Sequence, residues 1–188
     1  MPRAGLDAAR VIATAAQIAD AEGLEAVTLS RVATALGVKP PSLYNHVANR
    51  DALLRGIALL GLNELAAVIR DVAVGRSGDD ALMAAAHAYR GYVKAHPGRY
   101  AAGAITAPAP DDPDHLSAAS SILDLFTAIL RAWNLSDDDT VHALRSIRAA
   151  VHGFASLEAA GGFGLPESTD ESFTRLITTL ADGLRRGG

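Results

Sequence analysis

The chain has 188 residues and contains no cysteine, which excludes several kinds of chemistry. Disulfide bonds, thiolate nucleophiles, cysteine-ligated zinc and iron–sulfur clusters are all ruled out, and the protein needs no oxidising compartment. Hydrophobic residues make up 49% of the chain although aromatic residues make up only 5%. A chain of this length and composition can bury most of its surface, so we expect one folded domain or two small ones.

Long uninterrupted apolar runs are also missing. Gln17, Arg55, Glu64 and Arg90 interrupt the apolar stretches, and no stretch approaches the 18 or so apolar residues that a membrane-spanning helix requires. The apolar run near the start is too short and too amphipathic for a secretory signal. We therefore expect no membrane partner and a cytoplasmic location.

The sequence has no excess of positive charge. Its formal net charge is −4, which argues against a uniformly basic nucleic-acid-binding protein. The charge is unevenly distributed, because residues 1–55 carry +1 and the remainder carries −5. A local DNA site in the first part of the chain is therefore compatible with the composition.

Motifs for metal binding and catalysis are absent as well. The six histidines show no His-x-x-x-His or His-Glu-x-x-His spacing, and no Gly-x-Ser-x-Gly occurs. The segment Gly161–Gly164 lacks the Lys-Ser/Thr end of a phosphate-binding loop. Residues 111–115, with three aspartates and His115, are interpreted as part of a solvated proline loop. The sequence predicts no enzyme, no metal and no cofactor.

Apolar residues recur at helical spacing almost throughout, and no alternating β pattern is present, so we predict an all-α fold of about nine helices. Three short N-terminal helices precede roughly six longer ones. Thr28 and Asn49 are predicted N-caps, Gly37 a helix end, and residues 41–47 a short third helix. The helix around residues 122–133 is predicted to be buried on nearly all sides, and Ser136 is predicted to begin the next helix.

The two short helices on either side of residues 37–39 predict a helix-turn-helix, since neither can bury enough surface alone. In this geometry the second helix presents its outward residues to the major groove and its neighbours to phosphates. Asn45 can pair with adenine, Ser42 can donate or accept, and Pro40 can touch a thymine methyl group. The predicted phosphate contacts are Thr28, Lys39, Tyr44, His46 and Arg50. The alternative is an ordinary surface helix with a tyrosine partly buried for packing.

The segments Thr28–Val47 and Asn49–Leu54 closely resemble the DNA-binding domain of TetR-type transcriptional regulators, and the resemblance covers nearly all of residues 7–54. It implies that Tyr44 and His46 grip the DNA backbone and that Arg50 and Thr28 add phosphate contacts. It also implies that four residues set the operator sequence, namely Lys39, Pro40, Ser42 and Asn45. The implied domains are a DNA-binding domain, residues 1–55, and a helical effector-binding and dimerisation domain, residues 56–188.

The C-terminal part resembles the same family through Ala150–Phe154, which is similar to a Trp-His-Gly motif with Val151 in place of the tryptophan. This resemblance implies a homodimer formed by the last two helices, although their apolar stripes could instead close the monomer core. It also implies a small-molecule pocket. Polar or aromatic residues on otherwise apolar helices are the predicted lining, with plain core packing as the alternative: His87, Arg90, Tyr92, Phe126, Trp133 and His152.

These observations predict a homodimeric repressor that binds a palindromic operator and releases it on binding a small molecule. Two alternatives remain open from the sequence. One is a small-molecule-binding helical bundle without a DNA function, and the other is an enzyme built on a helical bundle.

Overall fold

The protein is described here by a computed structural model, which covers residues 6–105 and 111–187. This part of the chain is all-α, as predicted, and contains no strand. The eight α-helices are α1 Ala8–Glu22, α2 Leu29–Leu36, α3 Arg50–Ala73, α4 Gly78–Ala95, α5 Pro97–Ile105, α6 Pro113–Leu130, α7 Asp137–Ala159 and α8 Thr169–Gly187. Three 3₁₀ turns, Leu24–Ala26, Pro40–Leu43 and Arg131–Trp133, complete the described elements. Residues 107–110 of the predicted proline loop, 107–113, lie outside the described residues.

Local sequence signals determine where the helices begin and end. Thr28 accepts a hydrogen bond from the backbone N–H of Arg31 at 3.1 Å, and Asn49 accepts one from Ala52 at 2.9 Å. Ser136 caps α7 in the same way. Gly37 ends α2 in the left-handed region with φ 69°, which a glycine adopts without strain. The predicted caps and the predicted end of α2 are therefore confirmed.

One compact unit comprises residues up to 63 together with the described residues between 95 and 116. Six of the fourteen buried residues described in its core are alanines, namely Ala15, Ala16, Ala19, Ala33, Ala58 and Ala102, and larger residues such as Val11, Val32, Leu43, Leu53 and Ile57 accompany them. Small side chains let helix backbones approach closely. The core therefore combines short distances between helices with larger aliphatic side chains.

The backbones of α1 and α5 approach each other closely in this unit. A Cβ atom added to Gly98 would lie only 2.1 Å from the carbonyl carbon of Ala19. The Asp20 carboxylate also links the two helices, since it accepts a hydrogen bond from the backbone N–H of Arg99 at 2.9 Å and pairs with the Arg99 side chain and with His96. Residues beyond the predicted boundary at 55 thus pack directly on the first helix. That boundary itself stays a prediction.

A second ion pair joins α3 to the start of α6. The Arg55 guanidinium donates two hydrogen bonds to the Asp112 carboxylate, and they lower the pKa of Asp112 to about 2. His115 follows one turn later and is only 2% exposed. The prediction of a solvated loop is therefore wrong for His115, because the first turn of α6 carries its side chain inward.

The other compact unit comprises residues 64–94 and the described residues from 117 onward. Helices α7 and α8 pack against each other and bury every fourth residue or so: Ala143, Ile147, Val151 and Ala155 on α7, and Phe173, Ile177 and Ala181 on α8. Helix α6 contributes Phe126, Ile129 and Leu130 to the buried residues, yet its Leu123 is 43% exposed. The prediction that this helix is buried on nearly all sides is wrong, because one apolar flank faces solvent.

Among the described residues, two helices have the length and apolar composition that a membrane span requires, Arg50–Ala73 and the α6 region Pro113–Trp133. The core helix of a soluble protein meets the same two criteria. In α3, such residues as Leu53, Ile57 and Ile69 are completely buried within the protein. Its apolar composition is therefore explained by packing.

Candidate nucleic-acid interface and ligand-binding region

The segment after α2 exposes a run of polar residues and is anchored by two buried side chains. The backbone N–H of Val38 closes α2 onto the Ala33 carbonyl at 3.0 Å, and Lys39 is extended. The chain then turns through Pro40–Leu43, with Leu43 completely buried and Val47 only 7% exposed. These two anchors are four residues apart, as predicted. They fix which side chains between them point outward.

The predicted third helix is shorter than expected. Instead of a helix over residues 41–47, one 3₁₀ turn ends at Leu43 and is followed by a hydrogen-bonded turn. Two consecutive prolines supply no N–H groups, so the first backbone donor is Ser42, which bonds to the Lys39 carbonyl at 2.9 Å. The N–H groups of His46 and Val47 both bond to Leu43. The segment is therefore compact without forming a regular α-helix.

Most of the predicted DNA contacts lie on the exposed side of this segment. Five of them are exposed, namely Lys39, Pro40, Ser42, Tyr44 and Asn45, and His46 is half-buried. Tyr44 is 58% exposed, which is unusual for an aromatic side chain and speaks against the packing alternative. Thr28 is exposed at the N-terminus of α2, where its oxygen accepts the capping bond. Its hydroxyl hydrogen stays available for an acceptor such as a phosphate oxygen.

Arg50 has a structural role that the sequence did not reveal. Its Nε donates to the Val27 carbonyl and its Nη2 to the Leu24 carbonyl, each at 2.9 Å. The guanidinium therefore fastens the first turn of α3 to the 3₁₀ turn that precedes α2. The side chain remains 39% exposed, so contact with a phosphate stays a prediction for the rest of the group.

The structure brings two of the six predicted pocket residues together. His87 meets the Phe173 ring edge-on with 5.1 Å between ring centroids, and the Arg90 guanidinium lies 5.0 Å from the same ring. The other four differ from one another in contacts and exposure. The Tyr92 hydroxyl donates to Glu64 and Trp133 Nε1 donates to Asp79, while Phe126 is buried and His152 is exposed.

Arg90 belongs to a charged network at the start of α8 that the sequence does not indicate. It is 4% exposed and donates two hydrogen bonds of 2.6 Å to Glu158, and it also pairs with Asp170 at 2.8 Å. Lys94 reaches the same Glu158 carboxylate at 3.0 Å. The hydrogen bonds that Arg90 donates to the Glu158 carboxylate lower the pKa of Glu158 to about 2 and raise the pKa of Arg90. No local sequence pattern predicts this network, because Arg90 and Glu158 are 68 residues apart.

Comparison with known proteins identifies the family. Residues 11–57 match the model of bacterial regulatory proteins of the tetR family, and residues 82–180 match the model of the Tetracyclin repressor-like C-terminal domain. The chain belongs to the TetR family of transcriptional regulators. As a TetR-family regulator it is a DNA-binding protein and not an enzyme.

Similar proteins support the same assignment. An uncharacterized HTH-type transcriptional regulator of Mycobacterium tuberculosis is 35% identical over 89% of this chain and 76% of its own length. Another from Bacillus subtilis is 34% identical over 97% and 95%. A protein of unknown function from a Rhodococcus species has the same fold with a TM-score of 0.79, at 23% identity over 100% of this chain and 98% of its own.

Two solved structures of the same fold were determined with small molecules. One is a TetR variant from Acinetobacter baumannii in complex with minocycline, with a TM-score of 0.73 and 23% identity over 97% of this chain and 98% of its own. The other is ActR from Streptomyces coelicolor in complex with (S)-DNPA, with a TM-score of 0.70 and 22% identity over 99% and 100%. The finer assignment of this TetR-family regulator to a Trp-His-Gly branch stays a prediction.

Proposed function

We propose that this regulator is a repressor that binds a palindromic operator as a homodimer and releases it when a small molecule binds. The observation that carries the proposal is the exposed polar segment Lys39–Asn45, held in place by the buried Leu43 and Val47. Residues 1–55 read the DNA in this proposal, and residues 56–188 bind the effector and the second subunit. A cytoplasmic location follows from the access to DNA that repression requires.

The DNA-binding residues divide into two groups by the chemistry of their side chains. Asn45 and Ser42 can read base edges and Pro40 can contact a thymine methyl group. Thr28, Lys39, Tyr44, His46 and Arg50 suit the phosphate backbone. The first group sets sequence preference, and the second sets overall affinity and its salt dependence.

A pair of neighbouring substitutions tests this division. Tyr44→Phe removes one hydroxyl and should weaken binding to operator and to random DNA alike, whereas Asn45→Ala should lower mainly the preference for the operator, by about 1–3 kcal/mol. Both side chains are exposed, so neither change should affect folding. Operator sites selected from random DNA are compared with random duplexes at about 0.15 M salt. An equal loss of preference in both variants, or no operator preference in the parent protein, would contradict the proposal.

Dimerisation is supported by apolar surface left over on the last two helices. Val141 on α7 is 44% exposed, and half-buried leucines, such as Leu144 on α7 and Leu176 and Leu180 on α8, flank the buried stripes. Two short recognition segments on a two-fold dimer also read a longer site than one segment can. Val141→Asp should shift the protein toward monomer in analytical ultracentrifugation and weaken operator binding. Leu123→Asp, equally exposed at 43% on α6, is the matched control and should leave the dimer intact.

An effector is supported by the solved structures of the same fold that hold minocycline or (S)-DNPA. The predicted contacts are His87, Arg90, Tyr92, Phe126, Trp133 and His152. A ligand that releases the operator must bind the DNA-free conformation more tightly than the DNA-bound one. Compounds are screened for release of a labelled operator. A compound that lowers the operator affinity by a given factor must itself bind more weakly by that same factor when the operator is present. A compound that binds equally well with and without operator would not be an effector.

A further inference from the structure

A cavity of about 410 Å³ opens beside the connection between α7 and α8. It lies wholly within the second compact unit, and its lining contains none of the six predicted pocket residues. The lining residues are Phe154, Gly162, Phe163, Gly164, Leu165, Glu167, Thr169 and Ser172. The volume falls in the range of small-molecule sites, and the lining combines apolar walls with a few polar groups, as such sites do.

The aromatic wall of this cavity is held rigidly from behind. The rings of Phe154 and Phe163 lie with 4.6 Å between their centroids, and Phe154 also packs on Phe173 at 5.0 Å. The buried Arg90 guanidinium lies 5.3 Å from the Phe154 centroid and is itself fixed by Glu158. The wall is therefore formed before any ligand arrives, so little conformational entropy is lost when a ring binds to it.

Two glycines of the connecting segment line the cavity, and they have different surroundings. Gly162 lies so close to the Leu157 carbonyl that an added Cβ would be 3.0 Å from its oxygen, and Gly164 has no neighbour within 4 Å of such an atom. Phe163, between them, is 38% exposed and supplies the outer aromatic surface. A second large apolar side chain, Leu165, is 81% exposed. An apolar ligand would cover surface that is otherwise in contact with water.

The charge available at the rim is negative. Of the acidic residues near the start of α8, Glu158 and Asp170 pair with Arg90, and Glu171 pairs with Arg175. Glu167 lines the cavity, and within the described part of the chain no hydrogen bond or ion pair involves its carboxylate. A cationic group of a ligand in this cavity could form a charge-assisted hydrogen bond with this carboxylate.

We propose that this cavity binds an aromatic amine, with its ring against Phe154 and Phe163 and its ammonium group at Glu167. The Ser172 hydroxyl, which also lines the cavity, can accept a second hydrogen bond from the ammonium group. Binding of the amine requires neither operator release nor dimerisation.

Two probes that share an indole ring test the charge preference. Tryptamine carries a cation and indole-3-acetate carries an anion at neutral pH, so their affinities measured by isothermal titration calorimetry isolate the effect of charge. We expect saturable binding of tryptamine below roughly 1 mM and about tenfold weaker binding of indole-3-acetate. No saturable binding of tryptamine, or equal affinities for both probes, would overturn the proposal.

Three variants test the geometry. Glu167→Gln keeps the size of the side chain and should remove most of the discrimination between the probes, while Phe163→Ala should weaken both probes by about tenfold. Leu123→Ala changes a side chain of similar exposure outside the cavity and should leave both affinities unchanged. Circular dichroism confirms folding, and operator binding is measured separately. If Phe163→Ala alters the oligomeric state and leaves tryptamine binding unchanged, a second copy of the chain covers the cavity and the proposal fails.

Discussion

The close approach of α1 and α5 leaves no space for a side chain at Gly98, and Gly98→Ala tests this. The added methyl carbon would lie 2.1 Å from the Ala19 carbonyl carbon, 2.2 Å from its oxygen and 2.5 Å from the Asp20 nitrogen. Because carbon atoms in contact prefer about 3.5–4.0 Å, the helices must separate by at least about 1 Å. All three neighbouring atoms belong to the backbone, so no side chain can rotate away.

We expect Gly98→Ala to lower the free energy of unfolding by about 1–3 kcal/mol, as for other overpacked sites. For a protein of this length, each 1 kcal/mol corresponds to a decrease in Tm of about 2–4 °C. Separation of α5 from α1 would also strain the Asp20–Arg99 contact. The variant should therefore bind operator more weakly at temperatures well below its Tm.

Gly91→Ala is the matched control. Gly91 lies in α4, and an added Cβ there would meet nothing within 4 Å. Alanine is the better helix former, so this variant should gain up to about 1 kcal/mol. Thermal and urea unfolding followed by circular dichroism measure both variants. If Gly98→Ala unfolds at the same midpoint as Gly91→Ala, the short distance between α1 and α5 does not constrain the protein and the reasoning is refuted.

Two further predictions concern the buried arginine and the arginine at the start of α3. Arg90→Met leaves the Glu158 carboxylate without its main partner and should cost about 3 kcal/mol in urea unfolding. The pKa of Glu158 is lowered to about 2 from 4.5, so its stabilising effect is present above about pH 4.5 and is lost as the pH falls toward 2. Across that range the urea midpoint should fall more steeply for the parent protein than for Glu158→Gln, and parallel curves would contradict the assignment. Arg50→Ala removes two hydrogen bonds to the turn before α2 and should lower the free energy of unfolding by about 1–3 kcal/mol. Tyr44→Phe is the control and should change the free energy of unfolding by less than about 0.5 kcal/mol. If Arg50→Ala is as stable as the parent protein, the structural role of Arg50 is contradicted and only a role in DNA contact is left.

Helix boundaries could be predicted because the signals for them are local. Thr28 caps α2 through a hydrogen bond three residues away, and Gly37 ends it through its own backbone conformation. The outward positions of Tyr44 and Asn45 follow from the inward positions of Leu43 and Val47. Each of these inferences uses residues within one or two turns of each other.

Interactions between distant parts of the chain could not be predicted in this way. Asp20 and Arg99 are 79 residues apart, and the sequence around neither residue predicts their contact. Arg90 is predicted as a pocket residue because it is a polar residue on an otherwise apolar helix, but its ion pair with Glu158 depends on how α4 and α7 pack. The exposed Leu123 shows the same difficulty, since an apolar helix does not reveal which of its flanks lacks a neighbour.

The alanine-rich core around α1 also affects how the protein responds to random mutation. A single base change in an alanine codon gives valine, threonine, serine, proline, aspartate, glutamate or glycine, and only glycine is smaller. At completely buried positions such as Ala15 and Ala16, nearly every such change therefore adds atoms where no space exists. Clones that lose DNA binding after error-prone replication should thus be enriched in enlarged side chains at these alanines, and cavity-forming changes should be rare among them.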